Sequence, residues 1–285
     1  MIIVDSIVKL KEIVRNNKKN GHTIGFVPTM GFLHEGHLTL AKKARKENDT
    51  VIMSIFVNPL QFGPNEDFER YPRDPEKDAA LAESSGVDYL FMPSVDEMYP
   101  EEPAVALTVK KRTNVLCGIK REGHFDGVAT VVMKLFHMTE PDNAYFGKKD
   151  AQQLAVIYGL VDSLNVPVTI HGVETVREED GLAKSSRNVY LQPEERERAP
   201  ALYQSLSRLK ESIDSGETRI ERVREQAIDY LNLHSGAEIE YLEILAYPEL
   251  EPIQRATGTI IAAAAVQYKN ARLIDNIIFT VKGRA

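Results

Sequence analysis

Two histidines three residues apart, His34 and His37, close the run Pro28-Thr29-Met30-Gly31-Phe32-Leu33-His34-Glu35-Gly36-His37. At the start of a helix, residues three apart share a face. Imidazole N–H groups can follow charge as it develops on a phosphate without adding a fixed full charge. Gly36 lets a nucleotide approach the backbone. The run sits between a short apolar stretch, Ile24 to Val27 ended by Pro28, and a helical pattern from Gly36 to Asn48. A strand therefore ends where a helix begins, and helix N-termini favour phosphate through their unpaired N–H groups and dipole. In a parallel α/β sheet, loops at the carboxyl ends of strands are where ligands bind. Two capping or surface histidines are the bland explanation. The preceding strand, with Gly25, Gly31 and Gly36 around the pair, favours a phosphate site. Zinc fits less well, because no third His or Cys stands nearby and the metalloprotease Glu arrangement is missing.

Three further segments carry groups suited to the same chemistry. In Phe56-Val57-Asn58-Pro59-Leu60-Gln61-Phe62-Gly63, the amides of Asn58 and Gln61 are both donors and acceptors, suited to a substrate with hydroxyls and a carboxylate. Asn-Pro is also an ordinary turn start. From Asn143 to Gln153 a strand ends, Gly147 turns the chain, and a helix starts at Asp150. Lys149 is a mobile point charge for phosphate, and Gln153 lies one helical turn past Asp150. A solvated Lys148–Lys149 pair before an Asp cap is the alternative there. From Arg177 to Asn188, the hydroxyls of Ser185 and Ser186 are flanked by Lys184 and Arg187. Such a loop suits closure over a triphosphate and stabilisation of departing pyrophosphate, although composition alone describes a hydrophilic linker. Arg121 to Val128, with Gly123 and Gly127 around His124-Phe125-Asp126, reads as a flexible loop before a buried helix. The single cysteine, Cys117, reads as a small buried hydrophobe.

The elements that must position these groups alternate over the first two thirds of the chain. Strand patterns are expected at 51–57, 87–92, 143–146 and 166–171, and helices at 128–138 and 151–164. Asp74 before Pro75 marks another helix start. Repeated β-then-α units imply a parallel sheet with right-handed crossovers. The last third differs. Helical patterns at 193–213, kinked or restarted at Pro200, and at 218–233, with a Thr218/Glu221 capping box, precede strand patterns at 239–246, 259–266 and 272–280. The expected fold class is α/β: a Rossmann-like parallel-sheet N-terminal domain over 1–175, and a smaller α+β C-terminal domain over 176–285 that serves as a lid.

Composition limits the partners. The 285 residues include 35 basic and 42 acidic side chains, a net charge of −7. An acidic chain with no basic block is a poor nucleic-acid binder. No apolar run approaches the roughly 18 residues of a membrane span. No signal peptide is visible, and one cysteine fits a reducing, cytoplasmic location.

In order, Pro-Thr-Met-Gly-x-Leu-His-x-Gly-His, Phe-Val-Asn-Pro-x-Gln-Phe, Gly-His-Phe-x-Gly-Val, Phe-Gly-x-Lys-Asp-x-Gln-Gln and Asp-Gly-Leu-Ala-x-Ser-Ser-Arg-Asn closely resemble the pantoate–β-alanine ligase (pantothenate synthetase) family. The resemblance covers nearly the whole chain. Its His-x-Gly-His piece is shared with a wider nucleotidyltransferase superfamily and alone would mean only adenylyl transfer. The resemblance implies condensation of pantoate with β-alanine to pantothenate through a pantoyl adenylate, with ATP as co-substrate, Mg2+ as cofactor, and AMP and pyrophosphate released. It implies a homodimer with small-molecule substrates. It assigns ATP to Met30, Gly31, Phe32, Leu33, His34, Glu35, Gly36 and His37, to Gly147, Lys148, Lys149 and Asp150, to Val176, and to Lys184, Ser185, Ser186 and Arg187. It assigns pantoate to Gln61 and Gln153, with Gln61 also near β-alanine, and makes His37 the catalytic proton donor. The chemistry adds His34, Lys149, Ser185, Ser186 and Arg187 as groups that meet developing charge, and Asn58 as a further substrate contact. The sequence does not identify which protein groups, if any, hold the metal. Lys184 departs from the family, where an apolar Met or Leu is frequent, and its side chain could either reach the nucleotide or stay clear of it. An adenylyltransferase that only moves AMP leaves the amides near Gln61 unexplained. An aminoacyl-tRNA synthetase fits a short acidic chain poorly, and a non-catalytic nucleotide sensor does not need Lys149 and Ser185–Arg187 together.

Overall fold

The apolar runs of the first two thirds lie side by side as six parallel strands in a computed structural model that describes residues 1–281 apart from Asn65 and Asp67. In chain order the elements are β1 (Ile2–Val4), α1 (Ile7–Lys19), β2 (Ile24–Thr29), α2 (Glu35–Glu47), β3 (Thr50–Ile55), α3 (Pro75–Ser84), β4 (Tyr89–Phe91), α4 (Val95–Met98), α5 (His124–Thr139), β5 (Asn143–Gly147), α6 (Ala151–Ser163) and β6 (Thr169–Val173). The last third adds α7 (Pro193–Arg198), α8 (Ala201–Asp214), α9 (Ile220–His234), β7 (Glu238–Ala246), β8 (Thr259–Gln267) and β9 (Arg272–Thr280). The chain divides into two compact units. The first comprises Met1–Lys110, Lys120–Lys148 and Val156–Glu174; the second comprises Lys111–Ile119, Lys149–Ala155 and the chain from Thr175 on.

In the first unit the strand order is β1-β4-β3-β2-β5-β6, and every neighbouring pair is parallel. From β2 the chain winds one way to β3 and β4, and then the other way from β5 to β6. The order switches between β2 and β5, and the carboxyl ends of strands at such a switch are where parallel α/β sheets bind ligands. Strand periodicity sends alternate β2 residues to opposite faces. Val27 joins Leu40, Ala41 and Ala44 of α2 and Ala82 of α3, while Phe26 meets Phe136 of α5 edge-on at 6.4 Å. Helices thus cover both faces, which is why these strands read as continuous apolar runs.

Three local expectations need correction. The strand expected at 166–171 begins only at Thr169, because Pro167 has no N–H for the ladder. The segment around His124 is not a loop: α5 starts at His124 after Gly123 turns in at φ +74°. Gly127 lies inside the helix, where an added Cβ would stand 2.2 Å from the Leu60 carbonyl oxygen. The Thr218 capping box does not form, since Arg219 is the N-cap of α9 and Glu217 accepts its N–H at 3.0 Å. The strand β1 and helix α1 had no sequence expectation at all. The strand is three residues long, with Ile2 and Ile3 exposed at the sheet edge.

The second unit is an antiparallel sheet in the order β7-β8-β9. The Ala-rich strand β8 is buried on both faces. Ile260, Ala262, Ala264 and Val266 pack among Leu202, Leu206 and Leu209 of α8 and Val223 of α9, while Ile261 and Ala263 pack against Leu116, Ala151 and Ala155. Pro200 restarts the helix, standing as N-cap of α8 after α7 ends. Among the described residues, no helix is long and apolar enough to cross a membrane.

Candidate active site

In the first unit, the loop after β2 is built around one buried acid. Gly31 at φ +84° and Phe32 at φ +50° turn the chain away from the strand end. A Cβ on Gly31 would stand 2.8 Å from Ile55 Cγ2, so no side chain fits there. Asp78 of α3 is buried and accepts the N–H groups of Phe32 at 2.8 Å and Leu33 at 2.7 Å. Burial raises its carboxyl above the ordinary value, even though those two N–H bonds pull the other way.

His34 then becomes the N-cap of α2, with Glu35 exposed in the first turn. His34 Nδ1 accepts the Gly36 N–H at 3.2 Å, and His37 Nδ1 accepts the His34 N–H at 3.3 Å. The two rings lie 4.1 Å apart. A ring nitrogen that accepts carries no hydrogen, so each neutral ring has its proton on Nε2. Capping and phosphate binding are therefore compatible: the cap uses Nδ1 and leaves each imidazole an N–H donor on its other nitrogen.

The loop after β3 joins this one. Gln61 Nε2 donates to Met30 Sδ at 3.3 Å. Asn58, expected to meet substrate, is buried instead and its hydrogen-bonding groups turn inward. Its Nδ2 donates to Gln61 Oε1 and to the Gly127 carbonyl, each at 3.1 Å. Its Oδ1 accepts from Leu60 N at 3.3 Å and from the Tyr99 hydroxyl at 3.0 Å. Burial pushes the Tyr99 phenol up to about 12, keeping it a donor. Asn58 is thus both a turn residue and the group that orients the Gln61 amide.

Three residues behind Gln61 form a charged network. Arg121 takes Glu66 in a two-pronged pair at 2.6 Å on both contacts, and its Nη1 lies 2.9 Å from His124 Nε2. His124 Nδ1 donates to the Gln61 carbonyl at 2.8 Å. Burial alone would raise the Glu66 carboxyl, but Arg121 holds it below its ordinary value. Gly147 ends β5, and the following Lys148 pairs with Glu174.

In the second unit, Lys149 Nζ lies 3.3 Å from Asp150 Oδ1. On α6, Gln153 is half-buried. Its neighbour Gln152 is buried and serves another segment, donating to the carbonyls of Arg112 and Val115 at 2.8 Å. Cys117 is only partly buried, and its N–H and Sγ both contact Gln152 Oε1 at 3.1 Å. Residues 176–184 form a hairpin: Arg177 bridges Ala183, and Lys184 N donates to the Val176 carbonyl at 2.9 Å. Lys184 Nζ lies 3.5 Å from Glu178 Oε2, so the cation turns toward its own hairpin. Ser185 caps a 3-10 turn over Ser186–Tyr190, its Oγ accepting the Arg187 N–H at 3.3 Å. That hydroxyl keeps its own hydrogen as a donor.

The structure therefore brings Met30 to His37, Asn58 and Gln61 together in the first unit, which also holds Gly147 at the end of β5 and Lys148 after it. Lys149, Asp150, Gln153, Val176 and Lys184 to Arg187 belong to the second. Asp78, an ordinary first-turn acid, leaves little trace in the sequence, and neither does the Arg121–Glu66–His124 network, whose members are scattered. Asp275 and Asn276 did carry a signal, two polar residues inside an apolar strand pattern.

Known proteins match this arrangement. The model of the family described as pantoate-beta-alanine ligase matches residues 2–278. The chain is 58% identical over 281 residues to a pantothenate synthetase of Bacillus pumilus, covering 99% of this chain and 97% of that protein. The crystal structure of pantothenate synthetase from Thermus thermophilus superposes with a TM-score of 0.92 at 45% identity, covering 97% of this chain and 99% of that one. A Francisella tularensis pantoate-beta-alanine ligase complexed with beta-gamma ATP and beta-alanine gives 0.80 at 37% identity, covering 98% of this chain and 97% of that one.

Proposed function

The chain belongs to the pantoate–β-alanine ligase family and is a ligase that condenses pantoate with β-alanine, and from that premise we propose that it works through a pantoyl adenylate made from ATP. A carboxylate does not condense with an amine at neutral pH, because its leaving group is too poor. Adenylation supplies a better one. A pantoate carboxylate oxygen bonds to the α-phosphorus of ATP, the bond to the bridging oxygen breaks, and pyrophosphate leaves with the electron pair. The amine nitrogen of β-alanine then bonds to the acyl carbon, and the acyl C–O bond breaks. AMP leaves and the amine loses a proton.

The observation that carries this reading is the paired imidazoles at the N-terminus of α2, each with its proton fixed on Nε2 by a backbone N–H on Nδ1. Two Nε2–H donors beside a helix dipole suit the added charge that develops on the α-phosphate in the transition state. In our reading His37 and His34 supply those donors. Lys149, Ser185, Ser186 and Arg187 meet the charge on departing pyrophosphate. The backbone from Met30 to His37, with Gly147 to Asp150, Val176 and Lys184, holds the rest of ATP. Gln61 and Gln153 hold the pantoate hydroxyls and carboxylate, and Asn58 acts through Gln61 without touching substrate. Positioning and electrostatics supply the rate, with no covalent enzyme intermediate.

Magnesium fits this donor set as an ion carried on the triphosphate. Among the described residues, no group of three or more His, Cys, Asp or Glu side chains is placed to hold a metal, and magnesium is ordinarily held by one or two carboxylates plus substrate phosphates. Our ATP segments carry two carboxylates, Glu35 and Asp150, either of which would meet it, and the ion would neutralise phosphate charge. Excluding water protects an adenylate from hydrolysis, and we assign that task to the second unit. We further propose a homodimer, as the motif resemblance implies, working in the cytoplasm, which a single cysteine suits.

ATP–pyrophosphate exchange with Mg2+ and pantoate, omitting β-alanine, tests the reading. Pantoate-dependent exchange, followed by amide formation on adding β-alanine, supports it. Pantothenate formation without any exchange would overturn the adenylate.

A further inference from the structure

Asp275 and Asn276 stand side by side in β9, both buried, at 2% and 7% exposure. Polar groups inside an apolar sheet are costly unless bonded. Both are bonded to segments that carry cations and hydroxyls of the proposed ATP site. Asn276 Nδ2 donates to the backbone carbonyl of Lys149 at 2.8 Å. The Asp275 carboxylate takes Arg177 on both prongs, Nη1 to Oδ2 at 2.6 Å and Nη2 to Oδ1 at 3.0 Å. It also accepts the Asn276 N–H at 2.7 Å. Arg177 Nη1 donates to the Gly181 carbonyl at 3.0 Å, and its guanidinium lies 3.6 Å over the Tyr203 ring. Arg177 thereby clamps both the first strand and the turn of the 176–184 hairpin. The return strand of that hairpin runs directly into Lys184-Ser185-Ser186-Arg187.

We propose that Asp275 and Asn276 are a positioning pair for adenylation: adjacent residues of one rigid strand fix the Lys149 backbone and the Lys184–Arg187 loop at a set spacing. This rests on the reading that both segments contact ATP. Two segments so far apart in sequence have no local reason to keep a common register, and a shared anchor supplies one. Phosphoryl transfer depends on such placement, and a misplacement of about 1 Å can cost roughly 100-fold. Neither anchor side chain needs to touch the nucleotide.

The test is ATP–pyrophosphate exchange by the full chain carrying Asn276→Ala, alone and combined with Lys149→Ala. Acting through Lys149, Asn276→Ala lowers the exchange kcat by about 100-fold with the pantoate KM unchanged. In the Lys149→Ala background it costs nothing further, because the group it positions is gone. Wild-type exchange in Asn276→Ala would overturn the proposal. So would an equal additional loss in the double variant, the mark of a general structural defect. Should Asn276→Ala fail to fold, Arg177→Lys keeps the charge and loses the two-pronged geometry. Exchange slowed with the pantoate KM unchanged would then support the proposal, and an unaltered rate would overturn it. Absence of exchange in the wild-type chain would instead remove the ATP reading beneath it.

Discussion

Asp78 holds Phe32 in a backbone conformation that phenylalanine seldom takes. The Phe32 φ is +50°, and its N–H lies 2.8 Å from Asp78 Oδ2. Left-handed backbone costs an ordinary residue about 1–2 kcal/mol. Hydrogen bonds to a charged group each contribute about 1.5–3 kcal/mol. The two N–H bonds to Asp78 outweigh the strain, so α3 presets the loop that delivers His34 and His37 to the start of α2.

Asp78→Ala should therefore destabilise the protein by about 3 kcal/mol, leaving two N–H groups without their acceptor and the strain at Phe32 without its offset. Urea unfolding measures this directly. An unchanged midpoint would mean that the loop keeps its shape without the carboxylate.

His34 caps α2, and the proposed mechanism gives it a second job that substitution can separate from the first. Asn is a good N-cap and carries no imidazole. His34→Asn should keep the stability of α2 within about 1 kcal/mol of wild type. It should lower the single-turnover adenylation rate by roughly 10²–10³, the usual cost of one transition-state donor. His37→Ala should show a comparable rate loss. Recovery of both stability and rate in His34→Asn would reduce His34 to a cap.

The sheet was legible because two-sided burial writes itself as apolar runs, as in Thr50–Ile55, and the antiparallel domain because three strand patterns follow one another with no helix between. The histidine pair was legible because one short loop carries it. What escaped the sequence was side-chain partnership across distance. Asn58 has the type of a substrate ligand, and only the approach of Gly127 and Tyr99 shows that its amide is occupied. The residues from His124 to Gly127 read as a loop because Gly lowers helix propensity. The close packing of Gly127 on Leu60 overrides that local preference.

Asn58 should act only through Gln61. Asn58→Ala frees the Gln61 amide to rotate and should raise the pantoate KM, with the ATP KM unchanged. In a Gln61→Ala background the same substitution should add little, since the oriented group is absent. Gln153→Ala should likewise weaken pantoate binding and spare ATP. Steady-state kinetics with each substrate varied separates these outcomes, and equal losses for both substrates would indicate a packing defect.

The Arg121–Glu66 pair makes stability depend on pH in a defined direction. Burial opposes ionisation of Glu66, but Arg121 overcomes it and holds the carboxyl below its ordinary value of 4.5. A group with a depressed native pKa contributes stability above its unfolded-state pKa and loses it as pH falls through the native one. Glu66→Gln should thus be less stable than wild type near neutral pH, by about 1 kcal/mol for a partly exposed pair. The gap should narrow as pH falls below about 4.5, because wild-type Glu66 becomes protonated and loses the same interaction. Arg121 also faces His124, which donates to the Gln61 carbonyl at 2.8 Å. Loosening Arg121 should therefore raise the pantoate KM of Glu66→Gln at neutral pH. Thermal unfolding of both proteins across this range measures the first effect and steady-state kinetics the second. A stability gap that stays constant with pH would show that the ionised pair does not supply the difference.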